Sequence, residues 1–169
     1  MKAKEALLIA RRYNENCNYR HALKILKPLY EKLPNNISVL RELSDALLGN
    51  GEQKQAIRCI SRAIKLSPNN PELWISRSWM HDDEDITTRI ADLDKAIELE
   101  PTNAETITTK ANSLIELGKL AAAHELYHGL INLFPDNQIY LLYTSDTSDE
   151  QPNTKHRGHR THKEKKPHK

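Results

Sequence analysis

Apolar residues recur along this chain at helical spacing, in short segments separated by polar breaks. Leu40, Leu43 and Leu47 fall on one face of a helix, and Ala56 and Ile60 resume that spacing after a Gly-Asn-Gly break. A Pro-Asn-Asn closes the unit, which spans residues 37–70. The pattern predicts two helices joined by a turn. Small residues mark where the two helices approach closely: Ser44, Ala56 and Ala63.

The same pattern returns along the chain with a period of 33–34 residues. Prolines close the units at Pro34, Pro68, Pro101 and Pro135. Because proline cannot continue a helix and asparagine favours turns and helix caps, each Pro-X-Asn should end one hairpin and begin the next. We therefore predict an all-α array of four helix hairpins at about residues 1–36, 37–70, 71–103 and 104–137. The predicted helices are 4–14, 20–32, 37–48, 53–66, 71–81, 87–99, 104–117 and 120–133.

These positions resemble the signature of the tetratricopeptide repeat (TPR) family. That signature runs from a large residue through a Leu-Gly-like pair and two small helix-contact residues to a closing proline. In the second unit the matching residues are Leu43-Ser44, Ala56, Ile60, Ala63 and Pro68. The resemblance covers residues 4–137. It implies a right-handed superhelical solenoid of antiparallel helix hairpins, with a concave side.

The third unit departs from the pattern in three ways. It is one residue short, Arg89 stands at the usual small Ala, and Arg77 stands at the usual Leu. We expect either looser packing of this hairpin or a second helix that begins after residue 87. The acidic run 82–85 lacks the alternating ligands and central glycine of a calcium loop, which favours a solvated turn.

The resemblance implies that a partner protein binds the concave side, which the first helix of each hairpin lines. Carried over by position, the groove candidates are Trp79, Arg11, Arg41, Asp45, Asn112, Ile75 and Thr108. Trp79 is either a binding anchor or packed between hairpins. Arg11, Arg41 and Asn112 are candidate contacts for an acidic or C-terminal peptide group, or simply solvated. The Lys-and-Asn clamp with which some family members hold a chaperone's carboxylates is absent.

Motifs of catalysis are absent from the sequence. There is no Gly-rich phosphate loop, no HExxH and no GxSxG, so we expect no enzyme, no cofactor and no metal site. His124 and His128 share a helix face, but no third ligand follows at a telling spacing. Cys17 and Cys59 form no CxxC pair and should be free thiols. No apolar run reaches the roughly 18–20 residues of a membrane span, and no secretory signal is evident, which favours the cytoplasm.

Charge divides the chain into two parts. Residues 1–143 hold 18 Lys and Arg against 19 Asp and Glu, whereas residues 155–169 hold seven Lys and Arg, four His and one Glu. Residues 138–143 begin like a fifth repeat or capping helix, and residues 144–169, without apolar periodicity, should be disordered. Three interpretations of this tail stand. It is a basic arm that attracts nucleic acid or an acidic surface, a metal binder through His156, His159 and His162, or a non-native sequence. The third rests on the similarity of residues 141–146 to a translated sequencing adapter.

These patterns favour a protein–protein interaction scaffold whose groove binds a peptide or helix of a partner. The alternative is the regulatory or substrate-recruiting arm of a longer enzyme or signalling protein. A third possibility is a nucleic-acid-associated protein that acts through its basic tail. The sequence carries no signal for the oligomeric state or the identity of the partner.

Overall fold

The computed structural model describes residues 2–81 and 85–135. In this part the chain forms α-helices and no strands. The helices are α1 (Ala3–Glu15), α2 (Tyr19–Lys32), α3 (Ile37–Gly49), α4 (Gln53–Leu66), α5 (Pro71–Ser78), α6 (Ile86–Leu99), α7 (Ala104–Glu116) and α8 (Leu120–Leu133). All the predicted helices except α5 match these bounds to within one residue. The proposed fifth helix (138–143), the tail (144–169) and most of the acidic run lie outside the described residues.

Asparagines two residues after Pro34, Pro68 and Pro101 cap the first helices of the second, third and fourth hairpins. The side-chain oxygens of Asn36, Asn70 and Asn103 accept hydrogen bonds from backbone amides in the first turns of α3, α5 and α7, at 3.0–3.1 Å. These bonds satisfy amides that have no partner within the helix. The predicted capping role of these residues is confirmed.

The helices stack as antiparallel hairpins, and the second helix of each hairpin also packs on the first helix of the next. One core cluster extends from α1 to the end of α5, and a separate cluster fills the fourth hairpin. Ser44, Ala56 and Ala63 are completely buried, as the close approach of the second hairpin's helices requires. Each hairpin thus buries its apolar face against a neighbour, which is why the repeats stabilise one another.

The third hairpin differs from the others at the end of its first helix. α5 ends at Ser78 and is capped by Trp79, so the predicted extension to residue 81 was wrong. The chain then turns and buries Met80, which is 1% exposed. The Met80 carbonyl accepts a hydrogen bond from Nε2 of Gln53 at 2.9 Å. Burial of this apolar side chain stabilises the early end of the helix, and helical periodicity alone carries no sign of it.

An ion-pair network joins α5 to α6. Arg77 contacts Asp92 through two parallel bonds, with Nε 2.8 Å from Oδ2 and Nη2 2.5 Å from Oδ1. Asp92 is 2% exposed, and its Oδ2 also lies 3.2 Å from Nε2 of His81. The Arg77 guanidinium stacks over the Trp74 ring at 5.0 Å. The paired, hydrogen-bonded geometry compensates for the burial of the Asp92 carboxylate.

Arg89 occupies the small-residue position of α6 without delaying the helix. α6 begins at Ile86, so the predicted later start was wrong. The Arg89 guanidinium donates hydrogen bonds to Oε2 of Glu116 at 3.1 Å and to the His81 carbonyl at 3.2 Å. The long side chain therefore extends away from the helix contact and links α6 to α7.

Candidate functional site

The first helices present two rows of equivalent residues to one side of the stack. With offsets of 34, 34 and 33 residues, one row is Arg11, Asp45, Trp79 and Asn112, and the other is Leu7, Arg41, Ile75 and Thr108. Helix α1 packs directly against α3. Among the cavities along these helices, one lies between α1 and α3 and one between α5 and α7. We call these two the α1–α3 cavity and the Trp79 cavity. Another, on α1, is lined by Lys2, Lys4, Glu5, Leu7, Leu8 and Arg11.

The α1–α3 cavity has a volume of about 420 Å³ and a charged lining. Its ionisable carboxylate and guanidinium groups are Arg11, Glu15, Arg41, Glu42 and Asp45. Three of the predicted groove residues, Arg11, Arg41 and Asp45, therefore meet in one place. Repeat position had placed these three in one groove with the other four candidates, and the sequence did not separate them from that set.

Glu42 organises the wall of this cavity, and sequence reasoning missed it. Its side chain is almost completely buried and accepts hydrogen bonds from Nε of Arg11 at 2.6 Å and Nδ2 of Asn14 at 3.1 Å. The bond to Glu42 raises the pKa of the Arg11 guanidinium above its ordinary value. Arg41 lies 4.0 Å from Glu42 and pairs with Oε2 of Glu72 at 3.1 Å. The one sequence signal that could have indicated this ion pair is the position of the charged Glu42 directly before the core residue Leu43.

Asp45 is a carboxylate held partly away from water. Its pKa is raised from 3.8 to about 6, first by burial and then by the nearby Glu42 carboxylate, while Arg41 and Arg11 oppose the rise. Neither arginine forms a salt bridge with Asp45 among the described residues. Asp45 therefore carries negative charge at neutral pH with incomplete compensation.

The Trp79 cavity combines aromatic, apolar and acidic groups. It has a volume of about 150 Å³ and is lined by Ile75, Trp79, Glu72 and Glu105, together with the polar residues Ser76, Asn103, Thr106 and Thr109. Trp79 is 57% exposed. More than half of its surface is therefore not covered by packing between hairpins, the alternative interpretation of this residue. Trp74, by contrast, packs against the core and donates its Nε1–H to the Pro68 carbonyl at 2.8 Å.

Thr108 and Asn112 lie on α7 and line neither of these cavities. Oγ1 of Thr108 donates to the Ala104 carbonyl at 2.8 Å, and Oδ1 of Asn112 accepts from the Tyr127 hydroxyl at 2.5 Å. Each therefore has one polar atom bonded within the fourth hairpin. The predicted site residues divide into three groups: three in the α1–α3 cavity, two in the Trp79 cavity, and these two.

Groups suited to metal chemistry do not come together in residues 2–81 and 85–135. No set of three His, Cys, Asp or Glu side chains there has a metal-binding arrangement. The His124 and His128 rings lie 6.3 Å apart, and Cys17 and Cys59 are free thiols. No helix within the same ranges has the length and apolar character needed to span a bilayer.

Sequence models of the tetratricopeptide repeat match residues 93–125 and residues 41–70. The match at 41–70 covers most of the second hairpin, α3 and α4. The match at 93–125 runs from within α6 through α7 into α8. This chain is a tetratricopeptide repeat protein. Its architecture is that of a protein–protein interaction scaffold, and repeats of this family are typically non-enzymatic.

Solved structures share the fold of this TPR protein at low sequence identity. A thermophilic TPR protein from Thermus thermophilus aligns with a TM-score of 0.70 and 19% identity, covering 88% of this chain and 82% of that chain. A MamA fragment from Desulfovibrio magneticus RS-1 aligns at 0.71 and 15%, covering 78% and 75%. YrrB, described as a TPR protein with an unusual peptide-binding site, aligns at 0.69 and 16%, covering 85% and 75%. Comparison with curated protein sequences gave no match.

Proposed function

We propose that this TPR protein binds a segment of a partner protein along its first helices, with Trp79 as the central anchor. The observation that carries the proposal is that Trp79 is 57% exposed and lines a cavity together with Ile75. This cavity, like the α1–α3 cavity, lies along the first helices. Exposure of the large apolar surface of a tryptophan to water is unfavourable. Partner binding would remove that surface from water.

Two further features support this proposal. The α1–α3 cavity continues the same side of the stack and offers Arg11, Arg41 and Asp45 as polar contacts. Among the helices that line the two cavities, α3, α5 and α7 have side-chain caps at their starts, and α1 is held by packing in the buried core. The binding surface is therefore preformed. Thr108 and Asn112 extend the proposed surface along α7.

Partner capture with Trp79→Ala tests the proposal. We expect that proteins retained from an extract of the source organism by the wild-type chain are lost with Trp79→Ala. They should remain with Leu66→Ala, which truncates another exposed apolar residue, 44% exposed, that lines neither cavity. Circular dichroism of both variants checks that the helices are intact. Identical capture by the wild type and Trp79→Ala would remove Trp79 from the site.

A further inference from the structure

Carboxylates outnumber guanidinium groups in two of the cavities along the first helices. The α1–α3 cavity and the Trp79 cavity are lined by two arginines, Arg11 and Arg41. Against them stand five carboxylates from the same two linings: Glu15, Glu42, Asp45, Glu72 and Glu105. The two cavities together therefore carry an excess of three formal negative charges.

Both arginines are already paired within the protein. Arg11 bonds the buried Glu42 at 2.6 Å, and Arg41 bonds Glu72 at 3.1 Å. An acidic peptide would have to displace one of these carboxylates, and removing Arg11 from Glu42 would leave a buried charge without its partner. The arginines are therefore poor receptors for an acidic segment.

The remaining carboxylates have no such compensation. Glu15, Asp45 and Glu105 form no salt bridge with any residue the structure describes. Asp45 also feels the Glu42 carboxylate, which together with burial raises its pKa. A cation entering the α1–α3 cavity would relieve this repulsion.

Aromatic and apolar groups in the Trp79 cavity favour the same class of ligand. In the Trp79 cavity the exposed indole stands with Ile75, Glu72 and Glu105. Lysine and arginine combine an aliphatic stem with a cationic head, and such a cation binds favourably over an indole face.

We propose that the segment bound along the first helices is a Lys- or Arg-rich stretch of a partner protein, with one cation in the Trp79 cavity and another beside Asp45 and Glu15. This inference rests on the proposed function and specifies the chemistry of the partner. It gives the two cavities complementary roles: the Trp79 cavity supplies apolar and aromatic contact, and the α1–α3 cavity supplies charge. Association should be electrostatically steered and weakened by salt.

The first test uses short fluorescent peptides with the full chain, one Lys/Arg-rich and one Glu-rich of equal length. Binding of the Lys/Arg-rich probe should weaken roughly tenfold in Trp79→Ala and several-fold in Glu105→Gln. The matched control is Glu98→Gln, which removes an exposed carboxylate paired with Lys95 outside both cavities. Equal weakening by Glu98→Gln would show nonspecific attraction to the whole molecule and would overturn the proposal, as would failure of the Lys/Arg-rich probe to bind.

The second test reverses the sign of the effect. Arg41→Gln releases Glu72 from its ion pair, so the Lys/Arg-rich probe should bind several-fold more tightly. Unchanged or weaker binding of that probe would contradict the role given to Glu72. Loss of Glu-rich probe binding in Arg41→Gln would instead assign Arg41 to an acidic partner. Sedimentation of the full chain tests the remaining candidate ligand, a second copy of this chain. Self-association that is lost in Glu105→Gln would mean that the cavities bind the basic residues 155–169 of another copy, and it would contradict the assignment to a partner protein.

The two proposals fail separately. Suppose that Trp79→Ala abolishes partner capture while Glu105→Gln and Arg41→Gln leave binding of the Lys/Arg-rich probe unchanged. The proposed binding surface is then supported, and its specificity for a basic segment is contradicted. If Trp79→Ala changes neither capture nor probe binding, both proposals fall.

Discussion

The second and third hairpins hold equivalent places in the stack but stabilise their helix contacts with different chemistry. In the second, the contact residues Ser44, Ala56 and Ala63 are small and completely buried. In the third, Arg89 takes the position of Ala56 and a buried Arg77–Asp92 pair joins the helices. A regular repeat therefore relies on close apolar packing, and the irregular one on fixed polar geometry.

The difference also changes the binding side. Asp45 and Trp79 hold the same repeat position. Asp45 lies within the continuous helix α3, half-buried, whereas Trp79 caps the shortened helix α5 and is 57% exposed. The irregular third hairpin, which the Arg77–Asp92 ion pair stabilises, is thus the hairpin in which the proposed anchor Trp79 is exposed to solvent. Under the proposed function, the departure from the repeat is therefore located beside the binding anchor.

The largest effect is expected from placing an arginine in the second hairpin at the position equivalent to Arg89 of the third. Ala56 is completely buried, so Ala56→Arg must either open the α3–α4 contact or bury an unpaired charge. We expect a loss of ~5 kcal/mol in the free energy of unfolding, or failure to fold. Urea denaturation followed by circular dichroism measures this. A variant as stable as the wild type would show that this position has room in every repeat.

Removing the acid of the buried pair should have the next largest effect. Asp92→Ala leaves Arg77 without its carboxylate, and we expect the free energy of unfolding to fall by ~3 kcal/mol. The double variant Arg77→Leu/Asp92→Ala restores the leucine typical of the repeat and should recover much of that loss. Additive losses in the double variant would mean that the pair is not a coupled unit.

Asp45→Asn should stabilise the second hairpin at neutral pH. Because folding raises the pKa of Asp45 from 3.8 to about 6, ionising it in the folded state has a cost, present above pH 6 and lost as the pH falls toward 4. The full rise corresponds to ~3 kcal/mol, and partial solvent screening reduces this to ~2 kcal/mol at pH 7.

Urea unfolding at a series of pH values tests this effect. The advantage of Asp45→Asn over the wild type should shrink steadily below pH 6. Asp94→Asn, which changes an exposed carboxylate outside the two cavities, should show no such gain. An advantage of Asp45→Asn that is equal at pH 4 and pH 7 would contradict the assigned cause. The same titration implies that a Lys/Arg-rich probe binds more weakly below pH 6.

Arg89→Ala restores the usual small residue in the third hairpin and should have a small cost. It removes the hydrogen bonds to Glu116 and to the His81 carbonyl. Since an alanine suits the helix contact, we expect a net loss of ~1 kcal/mol. A loss as large as that of Asp92→Ala would mean that Arg89 is a second essential tie in this hairpin.

Trp79→Ala should have the smallest effect on stability despite the size of the residue. Because more than half of the side chain is already exposed, we expect a change below ~0.5 kcal/mol in the free energy of unfolding. The same variant is expected to have the largest effect on binding. A large loss of stability would mean that Trp79 packs between hairpins, as Trp74 does.

Much of the fold could be predicted because the same local sequence features recur in successive repeats. The closing prolines, the capping asparagines and the apolar spacing locate each helix, and the structure confirms all bounds but those of α5 to within one residue. The end of α5 was missed because burial of Met80 depends on residues distant in sequence, among them Gln53. Repeat position also placed Arg11, Arg41 and Asp45 in one groove with the other four candidates, since equivalent positions share one side of the stack.

The sequence by itself determined the hairpins, their order and the helix face on which each residue lies, because these depend on local spacing and on capping. Only the tertiary structure decided which charges pair. Glu42 and Asp92 are buried because an arginine from a neighbouring helix reaches each of them, 31 and 15 residues away. The charge of the binding side is what remains after those pairs form. The sequence left Arg11 and Arg41 open as contacts for an acidic group or as solvated side chains. Their pairing with Glu42 and Glu72 is the basis on which we propose a basic partner.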